Sequence, residues 1–216
     1  MRRTRFHKVL SSMAIVSLLM TGVASAAFET DQTGKKLNNH QIDQLNAVKA
    51  VTEKFQDVQD AIDAGYEPVG DCVNADDIPP LAGLGLGTMG IHYFNPNLVN
   101  NHPDSKNLNY KDVLIPEQPE LLLYTRSANG ELVLIGAEYM VSYEEWKKIH
   151  GRKDTEAEML DPNWKGPKPK IFGFEFEGLM EAHGLGEPSH FDKHIWLHSD
   201  NPVVSMRSGT PAALVI

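Results

Sequence analysis

The sequence predicts a single α+β domain in which an amphipathic helix near the N-terminus packs on a mainly antiparallel sheet. Three observations lead to this fold class. Apolar residues recur at three- and four-residue steps between Gln41 and Ala64, as on one face of a helix. An Asn129-Gly130 turn separates two apolar runs, and further runs with two-residue alternation follow in the last third of the chain. A sheet of this kind can curve into a partial barrel, and we expect the functional site at its open end.

The N-terminal segment has the features of a secretory signal peptide. Basic residues precede an apolar run from Val9 to Val23, and Ala24-Ser25-Ala26 matches the small-residue pattern of a cleavage site. The apolar run is shorter than a membrane span, so we expect a secreted or periplasmic protein whose mature chain begins at Ala27. The sequence thus divides into a signal peptide (1–26), a polar flexible lead-in (27–39) and a single globular domain (40–216).

Charge and composition limit the partners that we expect. The formal charge is −9 at pH 7, and removal of residues 1–26 takes away four basic residues and no acidic ones, which leaves −13. So acidic a protein favours cations and disfavours nucleic acid and anionic membranes. Cys72 is the only cysteine, so no intramolecular disulfide can form, and we expect its side chain to be buried.

The first long element is the amphipathic helix from Gln41 to Ala64, with Gly65 as its stop signal. Its apolar stripe contains Ile42, Leu45, Val48, Val51, Phe55, Val58 and Ile62. Loops rich in Asp, Asn and Pro follow at 66–80 and 96–119, on either side of a glycine-rich stretch that leads into His92. These loops are candidates for the walls of a pocket.

His92 follows glycines at 83, 85, 87 and 90 and lies in a run of bulky apolar residues. Ile91, Tyr93 and Phe94 favour an extended, half-buried strand, so the imidazole is held by its surroundings. A histidine held in this way suits a metal site or acid–base chemistry, and the alternative is a hydrogen-bonded core histidine.

Two strands flank the Asn129-Gly130 turn, at 120–124 and 131–142. Alternation in the second strand places Glu138 in a row with Leu132, Leu134, Gly136 and Met140. A carboxylate in an apolar row needs a cation, a donor or a metal nearby, because burying it alone costs several kcal/mol. The alternative is a strand-end glutamate that reaches solvent.

The chain then predicts a short helix over 143–150 and a long surface loop over 151–169, which is a candidate cover for the site. Strands follow at 170–177 and 189–198. Five residues fall on one face of the last strand: His190, Asp192, His194, Trp196 and His198.

The spacing of these histidines decides which of them is a candidate ligand. In a helix, His194 and His198 would be neighbours, but in a strand they lie about 13 Å apart at about 3.3 Å per residue. The β-favouring residues around them predict a strand, so we expect the more central His194 to be the ligand. We place Asp192, His198 and His190 in the second shell or at the rim.

Several motifs resemble those of a group of exported bacterial proteins of uncharacterised activity. They are the stretch from Ala47 to Ala64-Gly65-Tyr66, Asp71-Cys72-Val73, Met89-Gly90-Ile91-His92-Tyr93 with Asn95-Pro96, Pro119-Glu120-Leu121-Leu122-Leu123-Tyr124, Gly136-Ala137-Glu138-Tyr139, and His194-Ile195-Trp196 with Asn201-Pro202. His92, Glu138 and His194 all fall in these motifs, whereas His198 does not. Relatives often carry a second cysteine near the C-terminus, which this chain lacks.

We therefore expect an exported protein that binds a divalent transition metal (Zn, Cu, Mn or Fe) through His92, Glu138 and His194. Two alternatives belong to other classes. One is a metal-dependent enzyme acting on a small extracytoplasmic molecule, with Tyr93 or Tyr139 as proton donor. The other is a non-catalytic interaction module in which the histidines are core residues.

Overall fold

The structure is a computed structural model that describes residues 35–74, 88–99, 114–151, 153–182 and 187–199. Its helices are α1 (Asn39–Thr52), α2 (Val58–Asp63), α3 (Pro96–Val99), α4 (Tyr143–His150) and α5 (Glu156–Met159). Its strands are β1 (Glu67–Pro68), β2 (Val73–Asn74), β3 (Thr88–Phe94), β4 (Leu121–Arg126), β5 (Leu132–Ser142), β6 (Lys170–Ile171), β7 (Phe174–Glu175) and β8 (His190–Trp196). The predicted signal peptide, glycines 83, 85 and 87 and the C-terminal tail lie outside the described residues.

The main sheet is antiparallel and has the strand order β1-β3-β4-β5-β8, with β2 also paired to β3. Strands β6 and β7 form a separate hairpin. The α+β class and the antiparallel sheet are thus confirmed. The sheet does not close into a barrel within the described residues, since β1 and β8 remain at its two ends.

The two faces of the sheet differ in what they carry. Apolar side chains of α1, among them Leu45 and Val48, share a buried cluster with Ala137, Tyr139 and Ile195 of β5 and β8. Glu138, which alternates with Ala137 and Tyr139, therefore projects from the other face. The helix packs on one face. The other face, called the polar face below, carries the site beside a smaller apolar cluster that contains Phe94, Leu121 and Met140.

The predicted helix over 41–64 is not continuous, because it is interrupted by a 3₁₀ turn at Glu53–Gln56. In an unbroken helix the Phe55 carbonyl would accept from the backbone N–H of Gln59. Here the Tyr124 hydroxyl donates to that carbonyl at 2.7 Å, and the Asp57 side chain accepts from Gln59 N at 2.9 Å. Asp57 thus caps a second helix, on which Ala61 is buried whereas Ile62 of the predicted stripe is 42% exposed.

The fold begins earlier than the predicted lead-in allows. Asn38 caps α1 by accepting from Gln41 N, and the Gln41 side chain accepts from Asn38 N, which forms a capping box. Leu37 is buried in the main apolar cluster. The end of the predicted lead-in is therefore part of the domain.

The strand predicted over 170–177 is a hairpin. Phe172 and Gly173 both adopt positive φ values, 53° and 83°, so they form the two-residue turn between β6 and β7. The Gln41 amide donates to the Phe172 carbonyl at 2.8 Å, which helps to hold an unusual conformation for a bulky residue. The loop predicted over 151–169 also contains a short helix, α5, whose Met159 is buried.

Cys72 is exposed, so the prediction that it is buried was wrong. It follows the Gly70 turn and directly precedes the two-residue strand β2. Among the helices that the structure describes, none is both long and apolar enough to cross a membrane.

Candidate metal centre

His92, Glu138 and His194 meet on the face of the sheet that α1 does not cover. The Nε2 atoms of the two histidines lie 3.2 Å apart. Glu138 Oε2 lies 3.1 Å from His92 Nε2 and 3.4 Å from His194 Nε2. The three side chains are buried, with exposures of 1%, 0% and 2%, and are close enough to hold a metal ion.

The sheet register brings these residues together. Glu138 of β5 lies directly opposite His194 of β8, so their side chains share a face and a row. His92 reaches the same face from β3, two strands away, since it pairs with Leu123 of β4, which pairs with Gly136 of β5. The prediction that strand spacing selects His194 matches this arrangement.

Two glycines allow the strands around the site to approach. Gly90 has φ of 98°, and a Cβ there would lie 2.9 Å from the Tyr124 carbonyl oxygen. A Cβ on Gly136 would lie 2.3 Å from the Ile195 carbonyl oxygen. Gly90 precedes His92 by two residues, and Gly136 precedes Glu138 by two. The strands therefore approach most closely beside the residues of the site.

Burial changes the protonation of the polar side chains on this face. Desolvation lowers the pKa of His92 to about 4, although the negative charge of Glu187 acts in the opposite direction. Desolvation also raises the pKa of Asp192 well above its usual value, and the nearby charge of Glu138 adds to this effect. Near neutral pH His92 is therefore an uncharged imidazole, the form that binds metals.

His190 and Asp192 lie closer to the cluster than a rim position implies. Both are buried, and they join Glu138 in a second group whose possible ligand atoms all lie within 4.8 Å of one another. Asp192 Oδ2 is also 3.7 Å from His194 Nδ1, which is longer than a hydrogen bond. Among the described residues the two groups together contain five side chains, and Glu138 belongs to both.

His198 is not at this site, contrary to its predicted role in the second shell or at the rim. The N–H groups of Leu197 and His198 both donate to the Ile135 carbonyl, so the strand alternation ends after Trp196. The His198 imidazole instead contacts the helical segment, with Nε2 2.9 Å from Thr52 Oγ1 and Nδ1 3.3 Å from Glu53 Oε2. It secures the end of α1 against the sheet.

Replacing His198 with asparagine should change how stability depends on pH. Desolvation lowers the pKa of His198 from 6.5 to about 4. Between these values the unfolded chain binds a proton that the folded protein does not, so acidification costs stability in this window. We expect the unfolding free energy of the wild type, relative to His198→Asn, to fall by on the order of 2 kcal/mol between pH 7 and pH 4.5.

Urea denaturation at a series of pH values measures this difference. Because His92 and other buried groups titrate identically in both proteins, subtracting the two curves isolates His198. Parallel curves between pH 7 and pH 4.5 would mean that the His198 imidazole is not desolvated in the folded protein.

The two tyrosines considered as proton donors lie on the opposite face from the cluster. Tyr93 packs in an apolar cluster with Phe55 and Tyr124, and Tyr139 donates a hydrogen bond to the Pro116 carbonyl. Each tyrosine neighbours a site residue in sequence, and strand alternation sends adjacent side chains to opposite faces. Neither tyrosine is therefore placed to act on a ligand at the cluster.

A cleft of about 400 Å³ lies on the helix side, between the start of α1 and the β6–β7 hairpin. It is lined by Gln41, Leu114 and Phe172 among others, and Leu114 and Phe172 pack in the same cluster as Tyr139. The cleft and the His92 cluster are thus on opposite faces of the sheet.

Sequence reasoning missed two acidic residues near the polar face. Glu120 is buried and accepts from Met140 N at 3.2 Å, and Glu187 is 9% exposed and contributes negative charge near both His92 and Asp192. Both residues lie next to a proline, Glu120 at the start of a predicted strand and Glu187 in a loop, which are positions where a glutamate usually reaches solvent. No local pattern indicates their burial, because it depends on how the loops fold over the sheet.

Comparison of the chain with protein-family models, with curated proteins and with solved structures finds no match. The site is therefore interpreted from its own geometry and chemistry.

Proposed function

We propose that this protein is an exported soluble protein that binds one divalent transition metal ion through His92, Glu138 and His194. The observation that carries this proposal is the convergence of three buried ligand atoms from three strands, 3.1 to 3.4 Å apart. Ligands at about 2.1 Å from a tetrahedral ion lie about 3.4 Å apart, so the separations are those of a set that shares one ion.

The chemistry of the atoms also favours a cation. A carboxylate oxygen and two imidazole nitrogens all present lone pairs unless a proton lies between them. When both imidazoles carry their protons on Nδ1, the two Nε2 atoms and the carboxylate oxygen all present lone pairs, and a divalent ion accepts all three at once. Two imidazoles and a carboxylate suit Zn²⁺, Cu²⁺, Mn²⁺ or Fe²⁺.

The surroundings of the cluster favour metal binding over catalysis. Each ligand side chain is at most 2% exposed. Tyr93 and Tyr139 lie on the other face, and so does the described cleft. An enzyme with Tyr93 or Tyr139 as proton donor would need that hydroxyl beside the ion, and neither tyrosine lies there.

Export is supported by the N-terminal pattern alone. A basic start, an apolar run and Ala24-Ser25-Ala26 are typical of a cleaved signal peptide. We infer that the mature protein begins at Ala27 and meets its metal outside the cytoplasm.

Calorimetric titration of the metal-free mature protein with Zn²⁺, Cu²⁺, Mn²⁺ and Fe²⁺ tests the proposal, after intact mass has established that the chain begins at Ala27. We expect His92→Ala and His194→Ala each to weaken binding by more than about a hundredfold, which exceeds the usual effect of an indirect contact. His198→Ala is the matched control, because this buried imidazole contacts Thr52 and Glu53 instead, and we expect its affinity to stay within about twofold of wild type.

Circular dichroism verifies that each variant is folded. Wild-type affinity in folded His92→Ala and His194→Ala would reject the metal site and leave the interaction module as the better explanation.

A further inference from the structure

We infer that the polar face holds two divalent cations bridged by Glu138, the second ion being bound by His190 and Asp192 together with Glu138. This inference rests on the proposed function, because Glu138 is shared with the His92 and His194 site. The second group is buried, and its possible ligand atoms all lie within 4.8 Å of one another.

The register places the second group beside the first. Along β8, Asp192 is opposite Met140 and His190 is opposite Ser142, so both project from the same face as His194 and Glu138. Asp192 lies between the two histidines of β8. Two-metal sites commonly hold their ions about 3.5–4 Å apart, and a shared carboxylate between adjacent donor groups suits that distance.

Asp192 is the strongest indication of a second ion. Its side chain is 1% exposed, and neither carboxylate oxygen has a hydrogen-bond partner among the described residues. The neighbouring Lys193 makes its ion pair elsewhere, because its Nζ binds Glu177 Oε1 at 2.9 Å and lies on the other face of β8. Its charge offsets only part of the effect of burial on the pKa of Asp192, which stays well above its usual value. A buried carboxylate in this position calls for a cation.

His190 is oriented as metal-binding histidines are. Its Nδ1 lies 2.7 Å from the Pro188 carbonyl oxygen, which can only accept a hydrogen bond, so Nδ1 carries the proton. In the neutral ring Nε2 then presents a lone pair. Backbone carbonyls commonly fix ligand histidines in this way.

The strand that carries these residues is held at both edges. β8 pairs with β5 on one side, and on the other side the Glu177 N–H donates to the Asp192 carbonyl while Met180 pairs with His190. The backbone that carries His190, Asp192 and His194 is therefore held in place by hydrogen bonds before any ion arrives, which favours tight binding.

The charge and the donor atoms indicate which ions fit. The carboxylate of Glu138 belongs to both donor groups, and that of Asp192 belongs to the second. Glu187 adds negative charge near Asp192. The second group contains two carboxylates and one imidazole. This oxygen-rich set suits Mn²⁺ or Fe²⁺ better than an ion that prefers nitrogen ligands.

Mn²⁺ loading of the mature protein tests the inference, with ions per chain measured by elemental analysis and the metal spins by electron paramagnetic resonance. We expect two Mn²⁺ ions per wild-type chain with a spin-coupled signal. We expect Asp192→Asn to hold one Mn²⁺ with the six-line signal of an isolated ion, and an affinity for that ion within about tenfold of the tighter wild-type site. His190→Ala should give the same stoichiometry without altering the carboxylates.

The outcomes separate the two proposals. One uncoupled ion in the wild type would overturn the bridged pair, whether or not Asp192→Asn binds that ion more weakly. The first site would stand, and Asp192 would then be a residue that positions His194. Two ions retained in both variants would also overturn it. No binding of Mn²⁺ or Zn²⁺ by the folded wild type would reject the proposed function itself.

Discussion

Replacing Glu138 with glutamine should abolish the stabilisation of the protein by metal without lowering the thermal midpoint of the metal-free form. Glutamine keeps the shape of the side chain but removes the charge that a divalent ion requires. Because Glu138 belongs to both donor groups, the substitution disables both. Metal binding to the native state alone stabilises it by about 4 kcal/mol at about 1,000 times Kd, and this gain should be lost.

The metal-free protein should respond differently because Glu138 is fully buried. Ionised carboxylates are costly to bury, and a neutral amide of the same size avoids that cost. A substitution that removes ligand stabilisation yet leaves the apo-protein as stable as before is the signature of a site built for a cation.

Differential scanning calorimetry with excess Zn²⁺ or Mn²⁺, and with a chelator, measures both effects. For a chain of this size we expect the wild type to gain roughly 10 °C with metal and Glu138→Gln to gain almost nothing. Glu120→Gln is the matched control, since Glu120 is equally buried but belongs to neither donor group, and it should keep the shift. A full metal-induced shift in Glu138→Gln would contradict the role of this carboxylate.

Replacing Gly136 with alanine should destabilise the fold by about 3 kcal/mol or more, at the upper end of the usual cost of overpacking. The added Cβ would lie 2.3 Å from the Ile195 carbonyl oxygen. That atom belongs to the backbone of β8, so the strands must separate, and rotation of a side chain cannot relieve the clash. The strand pair that separates is the one that brings Glu138 opposite His194.

Urea denaturation of the metal-free protein measures this cost, and metal titration shows whether the site is also lost. Gly178→Ala is the matched control, because a Cβ there meets nothing within 4 Å and its φ is not in the left-handed region. We expect it to stay within about 0.5 kcal/mol of the wild type. Equal stability of Gly136→Ala and Gly178→Ala would mean that β5 and β8 can move apart at little cost.

Local signals predicted several elements well. The helix predicted over 143–150 has those bounds in the structure. The Ser142 side chain caps its start, and Gly151 ends it in a left-handed conformation. The hairpin around Asn129-Gly130 likewise follows from turn chemistry. In both cases the deciding contacts lie within a few residues of one another.

Distant contacts account for the elements that were predicted incorrectly. The helix break depends on Tyr124, whose hydroxyl donates a hydrogen bond to the Phe55 carbonyl although the two residues are 69 positions apart. The displacement of His198 from the polar face depends on the Ile135 carbonyl, which receives two N–H groups from the end of β8. No window of neighbouring sequence contains either interaction.

Periodicity and turn residues indicate the α+β class, the antiparallel strands and the residue types of the candidate site, because they act through local backbone geometry. His92, Glu138 and His194 were identified from strand patterns and motif positions. The meeting of one atom from each of these residues within 3.4 Å, with His190 and Asp192 beside Glu138, depends on the tertiary fold. Strand register sets which side chains share a row. It pairs residues that are far apart in the sequence, since His92 and Leu123 are 31 residues apart and Glu138 and His194 are 56 apart, and it is fixed by the packing of the whole sheet.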